Sequence, residues 1–187
     1  TTVGRPYPGS EVKLVDETDC EVAKNEVGEI WARGPHSVSG YFKDPEATAQ
    51  TWPGGWYKTG DLGKFDAEGH LMVAGRKKDL IIRGGQNIYP AEIEALLAAH
   101  PKIWAVAVVG MPDEILGEKA CAFVVPKPGQ DMTLQDMALF LKEKEIAPFK
   151  IPERLEIIDK MPMVADEQKV DKKLLARNIA EKLAKTK

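Results

Sequence analysis

Four short clusters hold the residues whose types and spacing could do chemistry. The first is Tyr57-Lys58-Thr59-Gly60-Asp61. An acidic side chain just after a glycine turn can accept hydrogen bonds from both hydroxyls of a ribose, as the acidic residue of dinucleotide-binding folds does. Taken alone, Thr-Gly-Asp is equally an ordinary turn. The second is Gly75-Arg76-Lys77-Lys78-Asp79, where four of five residues are charged. Arg76 offers a planar fork for a ribose or phosphate, although a charge run of this kind also suits a solvated linker. The third is Arg83-Gly84-Gly85-Gln86-Asn87-Ile88-Tyr89-Pro90-Ala91-Glu92-Ile93-Glu94. Paired glycines ahead of a helix let backbone approach a ligand closely, or simply make a tight turn. No Gly-Lys-Ser/Thr follows, so the segment is not a phosphate-gripping P-loop. The fourth is Lys169, in Met163-Val164-Ala165-Asp166-Glu167-Gln168-Lys169-Val170-Asp171. A lysine on a loop before a terminal helix can reach a reacting phosphate and stabilise charge as it develops.

The elements that must position these clusters change character near residue 75. Before it, short alternating runs at 12–15, 28–34, 56–59 and 71–74 are bounded by Gly, Pro and Asp, with a helix only at 45–51. That spacing of strands and turns predicts a small β-barrel or the edge of one. After it, residues 80–83 and the Gly84-Gly85 turn predict a short ribbon. Pro90 then starts a helix, a position where its missing N–H costs nothing. Ile93, Leu96 and Leu97 form the apolar face of that helix, with Glu92 and Glu94 outside. Apolar runs at 103–109 and 120–125 predict buried strands. Thr133 with Asp136 reads as a capping-box helix start, and Leu134, Met137, Ala138 and Leu141 supply its stripe. A strand at 154–158 and a helix from about Val170, with Leu175, Ile179 and Leu183 on one face, complete a compact α+β unit.

Composition narrows the function classes. A chain of 187 residues that is 43% hydrophobic and 29% charged has the make-up of a soluble globular protein. No uninterrupted apolar run nears the ~20 residues of a membrane-spanning helix, and 1–8 carry no secretory pattern. Val3-Gly4-Arg5-Pro6 reads as the interior of a β-rich domain, so a fragment is expected. Cys20 and Cys121 form no CxxC and have no histidine at ligand spacing; they read as reduced thiols of a cytoplasmic protein. His36, His70 and His100 are scattered, and no metal site is expected. A net charge of −3 argues against nucleic acid as partner. Residues 1–75 hold 7 Lys+Arg against 12 Asp+Glu, whereas 76–187 hold 19 against 17, so the second part suits a polyanionic ligand better.

Gly40-Tyr41-Phe42, Trp56-Tyr57-Lys58-Thr59-Gly60-Asp61, Gly75-Arg76, the 83–94 segment and Lys169-Val170-Asp171-Lys172-Lys173, in this order and spacing, resemble the adenylate-forming superfamily of acyl-CoA synthetases, luciferases and peptide-synthetase adenylation domains. The resemblance covers essentially the whole chain and implies the C-terminal portion of such an enzyme. Residues 1–76 would end the N-terminal adenylation domain as a β-rich, barrel-like piece. Residues 77–187 would form a mobile α+β lid with a β-ribbon, a three-stranded sheet and helices. The implied reaction has two steps. A carboxylic acid attacks the α-phosphate of ATP, supplied with Mg2+, to give an acyl-adenylate and pyrophosphate; a thiol then takes the acyl group and releases AMP. By the same resemblance Asp61 and Arg76 match ribose-binding positions, Lys169 the lysine that assists adenylation, Lys78 the hinge, and Gly84 and Gly85 the loop lining a pantetheine tunnel. The 83–94 segment is similar to the acyl-CoA synthetase version, and no carrier domain follows, which favours free coenzyme A as acceptor. Fatty or aromatic acid metabolism is the implied setting, and the acid itself is not named because none of its pocket is present. The lysine loop departs from the family's Thr-x-x-Gly-Lys, being one residue longer and lacking glycine, and Asn87 stands where some relatives carry an arginine. The family's phosphate loop and acid pocket lie upstream of residue 1, so this chain alone is expected to be inactive. A stand-alone module that binds coenzyme A or a carrier protein, and a carrier-loading adenylation domain, remain the alternatives.

Overall fold

The structure, a computed structural model, describes residues 2–164 and 169–185. The chain divides into two compact units, Thr1–Lys78 and Asp79–Lys187. The first contains β1 (Thr2–Gly4), β2 (Glu11–Val15), β3 (Gly28–Arg33), the short helix α1 (Pro45–Thr51), β4 (Tyr57–Phe65) and β5 (Leu71–Arg76). Helix α1 starts where Asp44 accepts a hydrogen bond from the Ala47 amide at 2.9 Å and Pro45 occupies the first turn. The strands pair antiparallel in the order β1-β5-β4-β3-β2. β1 and β2 stand at opposite edges, so the sheet is open: of the two expected alternatives, the closed barrel is not formed. β1 meets β5 in a broken register, with Thr2 opposite Met72 and Gly4 opposite Leu71. Closure needs strands long and tilted enough to carry a regular stagger around the ring. Leu14, Val15, Ile30, Trp31 and Leu62 are the buried apolar residues of this unit.

The second unit contains β6 (Ile81–Arg83), β7 (Gln86–Ile88), α2 (Pro90–Leu97), β8 (Ile103–Asp113), β9 (Gly117–Pro126), α3 (Leu134–Glu143), β10 (Arg154–Ile157) and α4 (Lys172–Ala184). β9 is the central strand. β8 runs antiparallel along its whole length, β10 runs parallel to its second half, and the β6–β7 ribbon joins at Arg83↔Gly117. The result is the expected ribbon, three-stranded sheet and helices.

The apolar runs of β8 and β9 are nearly unbroken because both faces of the sheet are covered. Val108, Ala120, Ala122 and Val124 pack with Ile93 and Leu97 of α2 and with Met137 and Leu141 of α3. The alternate residues Ala107, Val109, Cys121 and Phe123 pack with Leu175 and Ile179 of α4. Side chains one apart thus serve opposite cores, as the period of two requires. Each fully buried Leu, Ile or Met contributes about 1.5–3 kcal/mol relative to exposure. The α3 start is a capping box in which Thr133 and Asp136 bond reciprocally.

One reading of α2 is corrected. Glu94 does not point outward with Glu92: its side chain is only 21% exposed and accepts a hydrogen bond from the Val108 amide at 2.6 Å. β8 is an edge strand, and this carboxylate satisfies an edge amide that β9 cannot reach.

Candidate functional site

In the first unit, Thr59-Gly60-Asp61 is not a turn but part of β4. The register against β3 jumps from Trp31↔Lys58 to Glu29↔Leu62, so β4 carries surplus residues opposite Ile30. Gly60 takes φ +72 in this bulge, and the Thr59 hydroxyl closes it by donating to the Ile30 carbonyl at 2.8 Å while accepting from the Asp61 amide at 3.0 Å. Bulges of this kind re-aim a side chain. The one re-aimed here is Asp61, which lies across the sheet from Arg76. Arg76 Nε donates to Asp61 Oδ1 at 2.8 Å, with the carboxylate about one-third and the guanidinium about half exposed. An exposed pair adds little stability, and both groups keep hydrogen-bonding capacity to offer a ligand.

Lys77 follows immediately and pairs with Glu29 at 2.9 Å; the Glu29 side chain is only 8% exposed. Lys78 is the last residue of the first unit and sits in a single 3₁₀ turn, Lys77–Asp79.

In the second unit, Gly84 and Gly85 form the two-residue turn between β6 and β7, with φ of +55 and +81. Positive φ at both central positions marks the hairpin turn whose twist matches its strands, and only glycine adopts it without strain. The two glycines face different surroundings. The Gly84 amide donates to the Leu116 carbonyl at 2.8 Å, and a Cβ there would come within 3.0 Å of Leu116 Cδ2. A Cβ on Gly85 would meet nothing within 4 Å. The turn is held from behind: Glu118 accepts from the Ile82 amide at 2.9 Å and Arg83 pairs with Glu153 at 2.6 Å.

Lys169 is exposed on the segment that leads into α4. Its main chain is anchored. Met163 and Val170 form an antiparallel bridge, the Val164 amide donates to the Lys169 carbonyl at 2.9 Å, and the Asp171 amide donates to the Pro162 carbonyl at 2.8 Å. Asp171 then caps α4 by accepting from the Leu174 amide at 2.9 Å. Residues 165–168, where the loop departs from the family pattern, lie outside the described residues.

Sequence reasoning missed the partners of these groups. Lys172 donates to Glu94 at 2.7 Å, so the first residue of α4 is tied to α2 and, through the same carboxylate, to β8. Glu29 likewise gave no local signal, because its partner Lys77 reaches it across the sheet. One possible ligand cluster, Asp66, Glu68 and His70, is accounted for by its turn. Asp66 accepts from the amides of His70 and Glu68 and contacts the His70 ring at 3.1 Å, and these bonds, the His70 amide first, hold its carboxyl below the usual range.

Residues 92–167 match the model of the AMP-binding enzyme C-terminal domain, and residues 1–42 match that of the AMP-binding enzyme. The chain belongs to the adenylate-forming superfamily, matching its C-terminal portion. It is 41% identical over 184 residues to the medium-chain fatty-acid–CoA ligase of Escherichia coli (strain K12), covering 97% of this chain and 32% of the relative. It is 38% identical over 184 residues to the 2,3-dihydroxybenzoate-AMP ligase of Bacillus subtilis (strain 168), covering 97% and 34%. Among solved structures, the anthranilate CoA ligase AuaEII in complex with anthranoyl-AMP superposes with a TM-score of 0.88 at 31% identity, covering 98% of this chain and 36% of that one. The chain spans about a third of the length of the curated relatives it matches. Among the described residues, no helix is long and apolar enough to cross a membrane.

Proposed function

We propose that the protein of which this chain is the C-terminal part is an ATP-dependent acid–thiol ligase that makes acyl-coenzyme A through an acyl-adenylate. The observation that carries the reading is that the second unit holds both an exposed lysine on an anchored backbone and a glycine turn in which a Cβ on Gly85 would meet nothing within 4 Å. In the first half-reaction a carboxylate oxygen bonds to the α-phosphorus of magnesium-bound ATP and the bond to pyrophosphate breaks. The ammonium of Lys169 stabilises negative charge on the phosphates as they separate. Asp61 accepts hydrogen bonds from the ribose hydroxyls and Arg76 keeps that carboxylate oriented. In the second half-reaction the sulfur of coenzyme A bonds to the acyl carbon, the bond to AMP breaks, and the thiol proton passes to solvent. Gly84 and Gly85 give the pantetheine arm a wall of bare backbone. Lys78 acts as the hinge between two conformations, one for each step.

A second reading, transfer to a carrier-bound thiol, is favoured by the similarity to the 2,3-dihydroxybenzoate-AMP ligase over the same span. The test uses the full-length protein with ATP and a panel of medium-chain fatty acids and hydroxy- or aminobenzoates. Pyrophosphate release followed by acyl-coenzyme A is the expected result. Adenylation with thioester formation only on a phosphopantetheinyl carrier would establish the second reading. Lys169→Ala should slow adenylate formation on the order of 10²-fold and leave thioester formation from supplied adenylate much less affected. Equal loss in both steps would make Lys169 structural.

A further inference from the structure

We infer that Glu94 and Lys172 are positioning residues for Lys169, holding the working lysine through one buried ion pair. The inference rests on the role proposed for Lys169 and goes beyond it. Glu94 lies one turn into α2, the helix that follows directly on the glycine ribbon β6–β7. Its carboxylate makes two contacts, accepting from the Val108 amide of β8 at 2.6 Å and from Lys172 Nζ at 2.7 Å. Both side chains of the ion pair are about four-fifths buried. Screening by solvent is therefore much weaker than for the exposed pairs elsewhere, and breaking one partner leaves the other uncompensated.

Lys172 stands three positions after Lys169, and the intervening chain has little freedom. Val170 bridges Met163, the Asp171 amide is bonded to Pro162, and the Asp171 carboxylate caps α4. The place of the Lys169 backbone is thus set from two sides, by the Pro162–Val164 strand segment and by the Lys172–Glu94 tie. The first side ties the lysine segment to a stretch whose Met161 and Met163, with Val170 itself, pack on the α4 side of the sheet. The second is an anchor to the sheet and to α2, and so to the element that carries Gly84 and Gly85. A lysine that must meet a developing charge within a fraction of an ångström needs such a support, because a misplacement of ~1 Å can cost on the order of 10²-fold in rate.

The experiment is a mutant cycle in the full-length enzyme with Glu94→Gln, Lys172→Met, Lys172→Arg and Lys169→Ala. Glu94→Gln keeps the shape and an oxygen acceptor for the Val108 amide, so it removes the ion pair with the least harm to folding. Adenylate formation, read as pyrophosphate release with whichever acid of the panel is accepted, should fall about 10-fold in Glu94→Gln and in Lys172→Met. Thioester formation from supplied adenylate should change less than about twofold. Lys172→Arg should restore most of the rate lost in Lys172→Met. In the Lys169→Ala background, Glu94→Gln should have no further effect on adenylation. An equal second loss in that background would show that Glu94 acts independently of Lys169 and would overturn the inference, as would parallel loss of both half-reactions with the melting temperature. If Lys169→Ala itself leaves adenylation intact, the parent reading of Lys169 fails instead and the inference falls with it. Amide hydrogen exchange needs no acid: in Lys172→Met the Val164 and Asp171 amides should exchange at least several-fold faster while the Val108–Val124 core is unchanged. Unaltered exchange at those two amides would also overturn the inference.

Discussion

Replacing Gly85 by leucine separates the two roles that its geometry allows. The residue has φ +81 in the ribbon turn, where an ordinary L-residue costs about 1–2 kcal/mol. No atom lies within 4 Å of the added Cβ, so there is no steric term to add to that strain. The expected loss of stability is therefore ~1–2 kcal/mol, a fall in Tm of a few degrees for a chain of this size. Asparagine tolerates this backbone region better and should cost less. If the open space beside Gly85 receives the pantetheine arm, the leucine enzyme should still form acyl-adenylate at close to the normal rate. Acyl-coenzyme A formation should fall by 10-fold or more, since the obstructed step is the only one that uses the channel. The assay measures pyrophosphate release, acyl-coenzyme A and thermal stability on one preparation, with Gly85→Asn as control for the strain. Loss of both half-reactions in proportion to Tm would refute the channel and leave Gly85 with the turn alone.

Other outcomes follow from the same structure. Limited proteolysis should cut first beside Lys77 or Lys78; cuts inside 96–125 with those bonds intact would misplace the boundary. Cys20 is exposed, while burial pushes the Cys121 thiol up to about 12, so an alkylating reagent near pH 8 should label Cys20 and not Cys121 in the folded protein, as peptide mass spectrometry would show. Asp113, held down to about 2 chiefly by its hydrogen bond from Lys119, stabilises the fold only while ionised. The stability difference between the natural protein and Asp113→Asn should thus be full above about pH 4 and vanish as pH falls through 2, measured by denaturant titration. Ile93→Ala empties a fully buried site under α2 and should destabilise the second unit by about 2–5 kcal/mol.

What was legible in the sequence had local causes. The ends of α1 and α3 follow from Asp44, Pro45 and the Thr133–Asp136 box, all within one turn of the helices they start. The strands β8 and β9 announce themselves because burial on both faces demands continuous apolar runs. The misreadings are non-local. A glycine at positive φ looks the same in a turn as in a bulge, so Gly60 hid the continuity of β4. The strand order and the broken register of β1 with β5 are pairings that no run of side chains advertises. Glu94 stands four positions after Pro90 and three before Leu97, on the buried side of α2, where its charge argued for an outward place; β8 and α4 supply the two partners that the sequence does not show. The Asp61–Arg76 contact, likewise, exists only through the register of β4 with β5.

The Lys77–Glu29 pair has a consequence for the leash between the two units. Lys77 is pinned to a nearly buried carboxylate of the first sheet, and Ile81 is 1% exposed in the core of the second unit. Only Lys78, Asp79 and Leu80 lie between these moorings. Four Cα steps separate Lys77 from Ile81, about 13–14 Å at full stretch, so the chain between these two contacts is short. The covalent link outside both of these contacts is therefore no more than three residues, each with two soft backbone angles, and a proline at Lys78 or Asp79 would fix one of them.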